Sequence, residues 1–444
     1  MDVREVNLTL DFCLRVGELL IASGTGAADA VSTMRMVSSE LGLNNCDVDV
    51  TFVQVGMQYQ ASPEEPPVVA SRLVKSRAID YEHLTLIDHL IRDIVRGEVD
   101  LRSARQALGR IISTGHSRPR WAATLGLGIM AAAVAVQLGG RAPVALLAFV
   151  SAVVIDRVQL FLSRRQIPVF YQQIAGAGVA TMLAVGTAAL PFDVDVSSAI
   201  TANIIVLLAG IGFMGALQDA LTGFYVTANA RVLEAMLSTA GIIAGVSAGL
   251  TLAKSVGVRI APVEPGATDL QTVGLTVLGA AVGASAFAYA SYAPRRILLP
   301  IAVVGACAMG LVVALPMLGR AWPVATAALF IGLVSYSVAS RMQVPPLVVI
   351  VPALVPLLPG LSIYKGLTLL LTDQSADTTS AGLLALFTAV TIAVALAAGV
   401  LLGEYVAQPL KRGGRRLEAR LSGPRLVGPV TRSTRRRSSK QLTR

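Results

Sequence analysis

The chain has 444 residues, of which 54% are hydrophobic and only 14% charged, and its mean hydropathy is +0.67. That composition excludes a soluble globular protein, and an aromatic share of 5% beside 40 glycines points away from a girdled β-barrel and toward closely packed membrane helices. The net charge of +10 resides in the tail, where the basic residues between Lys411 and Arg444 are opposed by Glu418 alone. Such a tail, placed after an apolar segment, is expected to be a disordered cytoplasmic end that touches anionic lipid, and no nucleic-acid partner is expected. Cys13, Cys46 and Cys307 stand far apart, without C-x-x-C spacing or neighbouring histidines, and read as apolar core residues.

Residues 1–118 contain no apolar run of membrane length and are expected to form a small soluble α+β domain. Leu10, Leu14, Gly17 and Ile21 share one face of a helix over 8–22, and after the turn Ser23-Gly24-Thr25-Gly26 a second helix is expected over 27–41. Val48, Val50, Phe52 and Val53 read as one strand and residues 68–74 as another, separated by the loop Ser62-Pro63-Glu64-Glu65-Pro66-Pro67. Asp80 and Asp100 are placed to cap helices over 81–96 and 101–113. Asp2, Arg4, Glu5 and Asp11 interrupt any signal-peptide core.

From Trp121 the predicted fold is a polytopic α-helical membrane protein with about ten transmembrane helices. The expected spans are 121–139, 142–162, 168–190, 197–218, 232–252, 270–290, 297–318, 321–340, 345–371 and 381–407, the second being the least clean because Asp156 and Arg157 fall near its end. Arg118 and Arg120, Arg164 and Arg165, Arg231, Arg295 and Arg296, Arg341 and the tail fall on one side, which places both termini in the cytoplasm of a multi-pass plasma-membrane protein. The loop with Lys254 and Arg259 is basic on the other side. The spans divide into a first half over 119–253, an extracytoplasmic linker over 254–269, a second half over 270–408 and the tail over 409–444. Five helices per half require any structural repeat to be inverted, an arrangement characteristic of transporters. A shift of about 145 residues lays Ile205-Val206 on Ile350-Val351 and Gly215 on Gly360.

The fourth span of each half carries candidate helix breaks, at Gly215 in one and at Pro359 and Gly360 in the other. Broken helices expose backbone amides and carbonyls that can hold a zwitterion. Asp219 follows Gly215 by one helical turn and is the candidate coupling carboxylate, because an ionised Asp among membrane helices normally faces a cavity, a partner or a proton path. Lys365 lies one position beyond the repeat partner of Asp219, Arg231 and Glu234 are spaced to pair locally, and Asn203, Thr222, Thr227 and Ser362 offer hydrogen bonds to a substrate hydroxyl. Gly241, Gly245 and Gly249 form a packing stripe. Gly24-x-Gly26 lacks the remainder of a nucleotide loop, and His83, His89 and His116 are spaced too irregularly to suggest a metal site. No cofactor is expected.

The stretch from Gly17 through Ser23-Gly24, with Asp29, Met34 and Leu41-Gly42-Leu43, then Asp80-Tyr81-Glu82, and the membrane signature Asp219-Ala220-Leu221-Thr222-Gly223 with Arg231, resemble the threonine/serine exporter family. The resemblance runs from about residue 8 to 407 in the fused form of the family. It implies export of threonine and serine driven by the proton motive force, a cytosolic N-terminal domain before ten spans, and a transporter in place of an enzyme. By the same resemblance Asp219, Thr222, Gly223 and Arg231 match the signature and Pro359-Gly360 the break of the second half, whereas Met214-Gly215 replaces the Pro-Gly found in many relatives. The expected partners are threonine or serine, protons and the lipid bilayer, with assembly into a homo-oligomer left open. The alternatives are a dicarboxylate exporter relying on Lys365 and Arg231, and a membrane-anchored sensor or enzyme acting through residues 1–118.

Overall fold

The computed structural model of the chain describes residues 2–74, 77–187, 207, 210–255, 270–360, 362, 366, 369–370 and 376–410. The N-terminal part is an α+β unit. α1 (Val3–Ala22) and α2 (Ala27–Glu40) form the expected helical hairpin, with Gly24 at φ +93° in the turn, a backbone state that strains any residue with a Cβ. Leu10, Leu14 and Ile21 are buried as predicted, and Gly17 lets the helices approach so closely that an added Cβ would lie 2.3 Å from the Met34 sulfur.

β1 (Cys46–Val50), β2 (Gln54–Tyr59) and β3 (Val68–Leu73) form an antiparallel sheet in that order. The sequence reading misses β2 and carries the first strand too far. The apolar alternation at Val48 and Val50 continues across Phe52 and Val53, yet Thr51 N donates to Gln54 O at 2.9 Å and closes a hairpin turn there. β2 itself turns only Val55 and Met57 into the core, too weak an alternation to read. α3 (Tyr81–Val95) and α4 (Leu101–Ser113) start where expected, because Asp80 accepts from His83 N at 3.0 Å and Asp100 from Ser103 N at 3.1 Å. Of the cysteines, Cys13 is buried as expected, but Cys46 is half-buried and Cys307 exposed.

Eight helices among the described residues are long and apolar enough to cross a membrane. They are α5 (Arg120–Gln137), α6 (Ala142–Arg164), α7 (Val169–Thr187), α9 (Tyr225–Ser255), α10 (Leu270–Ala290), α11 (Leu298–Ala314), α12 (Ala321–Met342) and α14 (Ala376–Leu410). The two other expected spans are described only in part, as α8 (Gly210–Leu221) and as α13 (Leu347–Leu354) with a 3-10 turn after it. Asp156 in α6 is accommodated by Arg120 at 2.6 Å and by the Thr124 hydroxyl at 2.7 Å.

Glycine sets the helix contacts. In the first half Gly241, Gly245 and Gly249 of α9 press on α7, and a Cβ at Gly245 would lie 2.3 Å from Ile174 O. In the second half Gly399 and Gly403 of α14 press likewise on α12, at 2.6 Å from Ala325 O and 2.4 Å from Leu329 O. α5 and α10 run antiparallel, since Gly126 meets Ala290 while Gly279 meets Ala133.

The α+β unit docks on one end of this bundle. Tyr81 N donates to Ser291 O at 2.9 Å, Arg92 to the Gln343 side chain at 3.1 Å, and the Thr227 hydroxyl to Val50 O at 3.2 Å. Asp88, buried in α3, lies 2.6 Å from Arg92. Burial outweighs this guanidinium and pushes the Asp88 carboxyl up to about 7.

Gly245→Val should therefore wedge α7 from α9 and destabilise the protein by about 1–3 kcal/mol, seen as a lower melting temperature in detergent. Because the folded chain holds the Asp88 proton more tightly than the unfolded chain, the stability linked to this group is complete below pH about 4 and declines as pH rises toward 7. Asp88→Asn should flatten that decline in melting curves recorded between pH about 5 and 7.5.

Candidate functional site

Asp219 stands in the last turn of α8 and is 1% exposed. Its Oδ1 accepts from Ala27 N at 2.9 Å, the first residue of α2, where unpaired amides and the helix dipole favour an anion. Its Oδ2 lies 2.7 Å from Nη1 of Arg231 in α9, and Nη2 of the same guanidinium donates to Thr25 O at 3.3 Å. An acid and a base on either side of the α8–α9 turn thus clasp the Thr25–Ala27 turn of the α+β unit. The pair is buried and its opposite charges compensate each other, which matters because an unpaired charge at such a place is costly.

The signature around Asp219 divides by task. Gly223, at φ +92°, ends α8 with Gly223 N on Ala220 O and Phe224 N on Asp219 O, a left-handed stop that turns the chain so that α9 returns Arg231 to the acid. The Thr222 hydroxyl donates to its own helix, at 3.0 Å from Gln218 O and 3.1 Å from Asp219 O. Arg231 pairs with Asp219 and not with Glu234, the local partner that spacing suggested.

The helix break expected at Gly215 is absent there, since α8 runs through that residue without interruption. A glycine inside a helix costs only about 1 kcal/mol, and its bare face is used: a Cβ on Gly215 would come within 3.3 Å of Arg231 Nη1. In the second half α13 does end before Pro359, through the 3-10 turn Val355–Leu357 and an extended Leu358, with Gly360 N donating to Leu358 O at 2.8 Å. Asn203 and Lys365 lie outside the described residues.

Beside the pair lies a cavity of about 200 Å³, lined among others by Ser23, Gly24, Arg77, Gly215, Arg231 and Glu234. Arg77 was missed by sequence reasoning, because it follows β3 with no motif around it and reaches the cavity only through the docking of the α+β unit. Its guanidinium stacks 3.8 Å over the Phe52 ring and donates to Phe52 O. Burial and then the nearby Arg231 lower Arg77 to about 10, opposed by Glu234 and Asp219, so it is charged at neutral pH. The cavity wall therefore carries two guanidiniums and a carboxylate with Asp219 behind it. Away from this place His83 and His116, which sequence spacing kept apart, meet at Asp80.

Removing one member of a buried ion pair costs about 3–5 kcal/mol. Asp219→Asn should accordingly lower the melting temperature and speed tryptic cleavage after Arg120, and Arg231→Gln should do the same. Thr222→Val, which removes only a bond within its own helix, should change stability by about 0.5 kcal/mol or less.

Comparison with known proteins bears on the same residues. A family model described as "Putative threonine/serine exporter" matches residues 11–253, and one described as "Threonine/Serine exporter, ThrE" matches residues 276–406. A probable threonine/serine exporter of Mycobacterium tuberculosis (strain ATCC 25618 / H37Rv) is 35% identical over 97% of this chain and 84% of its own length. A threonine/serine exporter of Corynebacterium glutamicum is 33% identical over 93% of this chain and 85% of its own. No solved structure matches. A family match across both membrane halves, together with relatives alike over nearly the whole length, means that the chain belongs to the threonine/serine exporter family.

Proposed function

We propose that this chain exports threonine and serine from the cytoplasm in exchange for protons, with the Asp219–Arg231 pair as the coupling element. The observation that carries the reading is the buried acid–base pair at the wall of a small cavity with charges of both signs. A free hydroxy amino acid is a zwitterion, and it can insert into such a pair by offering its ammonium to Asp219 and its carboxylate to Arg231, with Glu234 and Arg77 as outer partners. At about 200 Å³ the cavity falls below the range typical of drug-sized ligands and suits a small one.

Exchange follows from competition for Asp219. The ionised carboxylate accepts the substrate ammonium on the cytoplasmic side. A proton arriving from outside neutralises it, removes the ammonium's partner and releases the substrate, and loss of that proton inside restores the site. Arg231, relieved of Asp219 during binding, holds the carboxylate end. Asn203, early in the span that contains Gly215, and Lys365, beyond the Pro359–Gly360 break, are retained as further candidates.

Alternating access by two inverted halves is part of this proposal. It is supported by the antiparallel contact of α5 with α10, the first helices of their halves, and by the matching glycine contacts of α9 on α7 and α14 on α12. We place the α+β unit and both termini in the cytoplasm. The unit packs on the turns near Thr227, Ser291 and Gln343, which belong to the side rich in arginine.

The test is efflux from proteoliposomes loaded with threonine, serine or succinate, with and without an imposed proton gradient. Gradient-stimulated efflux of threonine and serine is expected, abolished in Asp219→Asn variants shown to be folded and inserted. Retained stimulation in that variant would refute the coupling role, and efflux of succinate alone would transfer the chain to carboxylate export through Arg231.

A further inference from the structure

We propose that Asp80, His83 and His116 form a binding site for a divalent first-row cation of the zinc type, separate from the Asp219–Arg231 site. The Asp80 Oδ2 atom lies 2.8 Å from His83 Nδ1 and 2.7 Å from His116 Nε2, and one ligand atom from each residue falls within 4.8 Å of the others. Two imidazole nitrogens and a carboxylate oxygen suit zinc and its first-row neighbours, whereas magnesium and calcium prefer all-oxygen sets.

The three side chains are held in place by groups that take no part in ligation. The other carboxylate oxygen of Asp80 accepts from His83 N at 3.0 Å, which caps α3 and fixes the carboxylate plane. His116 belongs to the connection between α4 and α5, and three contacts hold it. Ser117 N donates to both carboxylate oxygens of Glu82, at 3.2 and 3.1 Å. Arg118 donates to Tyr289 O at 2.9 Å and also to Ala293 O. The His116 ring stacks at 3.9 Å on Tyr292, whose φ of +62° turns it out of the helical path at the end of α10. Such outer contacts orient ligands and sustain affinity.

In the described arrangement each ring donates an N–H to Asp80. A cation would take the place of those two N–H contacts, each neutral ring keeping its proton on its other nitrogen: at bond lengths of about 2.0–2.1 Å a tetrahedral centre spaces its ligand atoms by roughly 3.3 Å, so the two contacts open by about half an ångström and solvent completes the shell. The His116 side chain is 31% exposed, which leaves an entry path and a position for that water. The mechanical effect of binding is to tie α3 to the connection leading into α5, at the place where Tyr81 N already bonds Ser291 O. The metal would thus brace the α+β unit against the bundle.

The test uses the full-length, tag-free protein in detergent, stripped with a chelator and titrated with Co²⁺ by visible absorption, then with Zn²⁺ in competition. One saturable site is expected, with a nitrogen and oxygen type of spectrum that lacks thiolate charge transfer and so excludes Cys13, Cys46 and Cys307. His116→Gln and His83→Gln should weaken binding by about tenfold or more. Asp80→Asn should do so while keeping the helix cap, because Asn caps as well as Asp. His89→Gln should leave binding unchanged, since that ring faces Gln343 O at 2.8 Å. Absence of saturable binding, binding unaltered by both His116→Gln and Asp80→Asn, or a thiolate band would overturn the proposal.

Discussion

A buried carboxylate that must be paired governs how this protein is put together. Asp219 cannot remain ionised between α8 and α2 without compensation, and it finds it in the Ala27 amide at 2.9 Å and the Arg231 guanidinium at 2.7 Å. Those two partners belong to different parts of the chain, one to the α+β unit and one to the membrane bundle. The same contacts that satisfy the acid therefore dock the unit, close the α8–α9 turn and shape the neighbouring cavity. In the proposed exchange, a proton that neutralises Asp219 would therefore act on all three together.

Much of the architecture was legible because it rests on local signals. Apolar length marks the spans, and eight of the expected ten are long helices among the described residues. The Asp80 and Asp100 caps mark α3 and α4 to within a residue, because a carboxylate at a helix start satisfies amides that nothing else reaches. The glycine stripe of α9 was read correctly as packing, since small residues at helical spacing serve close approach. β2 was not legible, because a strand with Gln or Gly at every second position takes its identity from its neighbours in the sheet.

At the site, the acid and the base were legible but their relation was not. Asp219 and Arg231 stand out as charges among apolar residues, yet spacing offered Glu234 as the partner of Arg231, and only the left-handed Gly223 turn brings Asp219 to it instead. Gly215 was read as a break, whereas it keeps the helix and uses its missing side chain to seat a guanidinium. Arg77 and the meeting of His83 with His116 depend on contacts between residues far apart in the chain, which no periodicity encodes.

Because substrate is proposed to take the place of the contacts by which the Asp219–Arg231 pair holds the α+β unit, we infer that the unit parts from the pair during transport. It is tested most directly by export through a chain in which the unit is reversibly locked, by a bis-maleimide with an internal disulfide that bridges His89→Cys and Gln343→Cys after Cys13, Cys46 and Cys307 are replaced by alanine. The His89 ring already lies 2.8 Å from Gln343 O, so the lock sits at an existing contact and spares the charged pair. The account predicts that threonine export stops on cross-linking and returns on reduction. Export that continues at full rate through a fully cross-linked chain would contradict it.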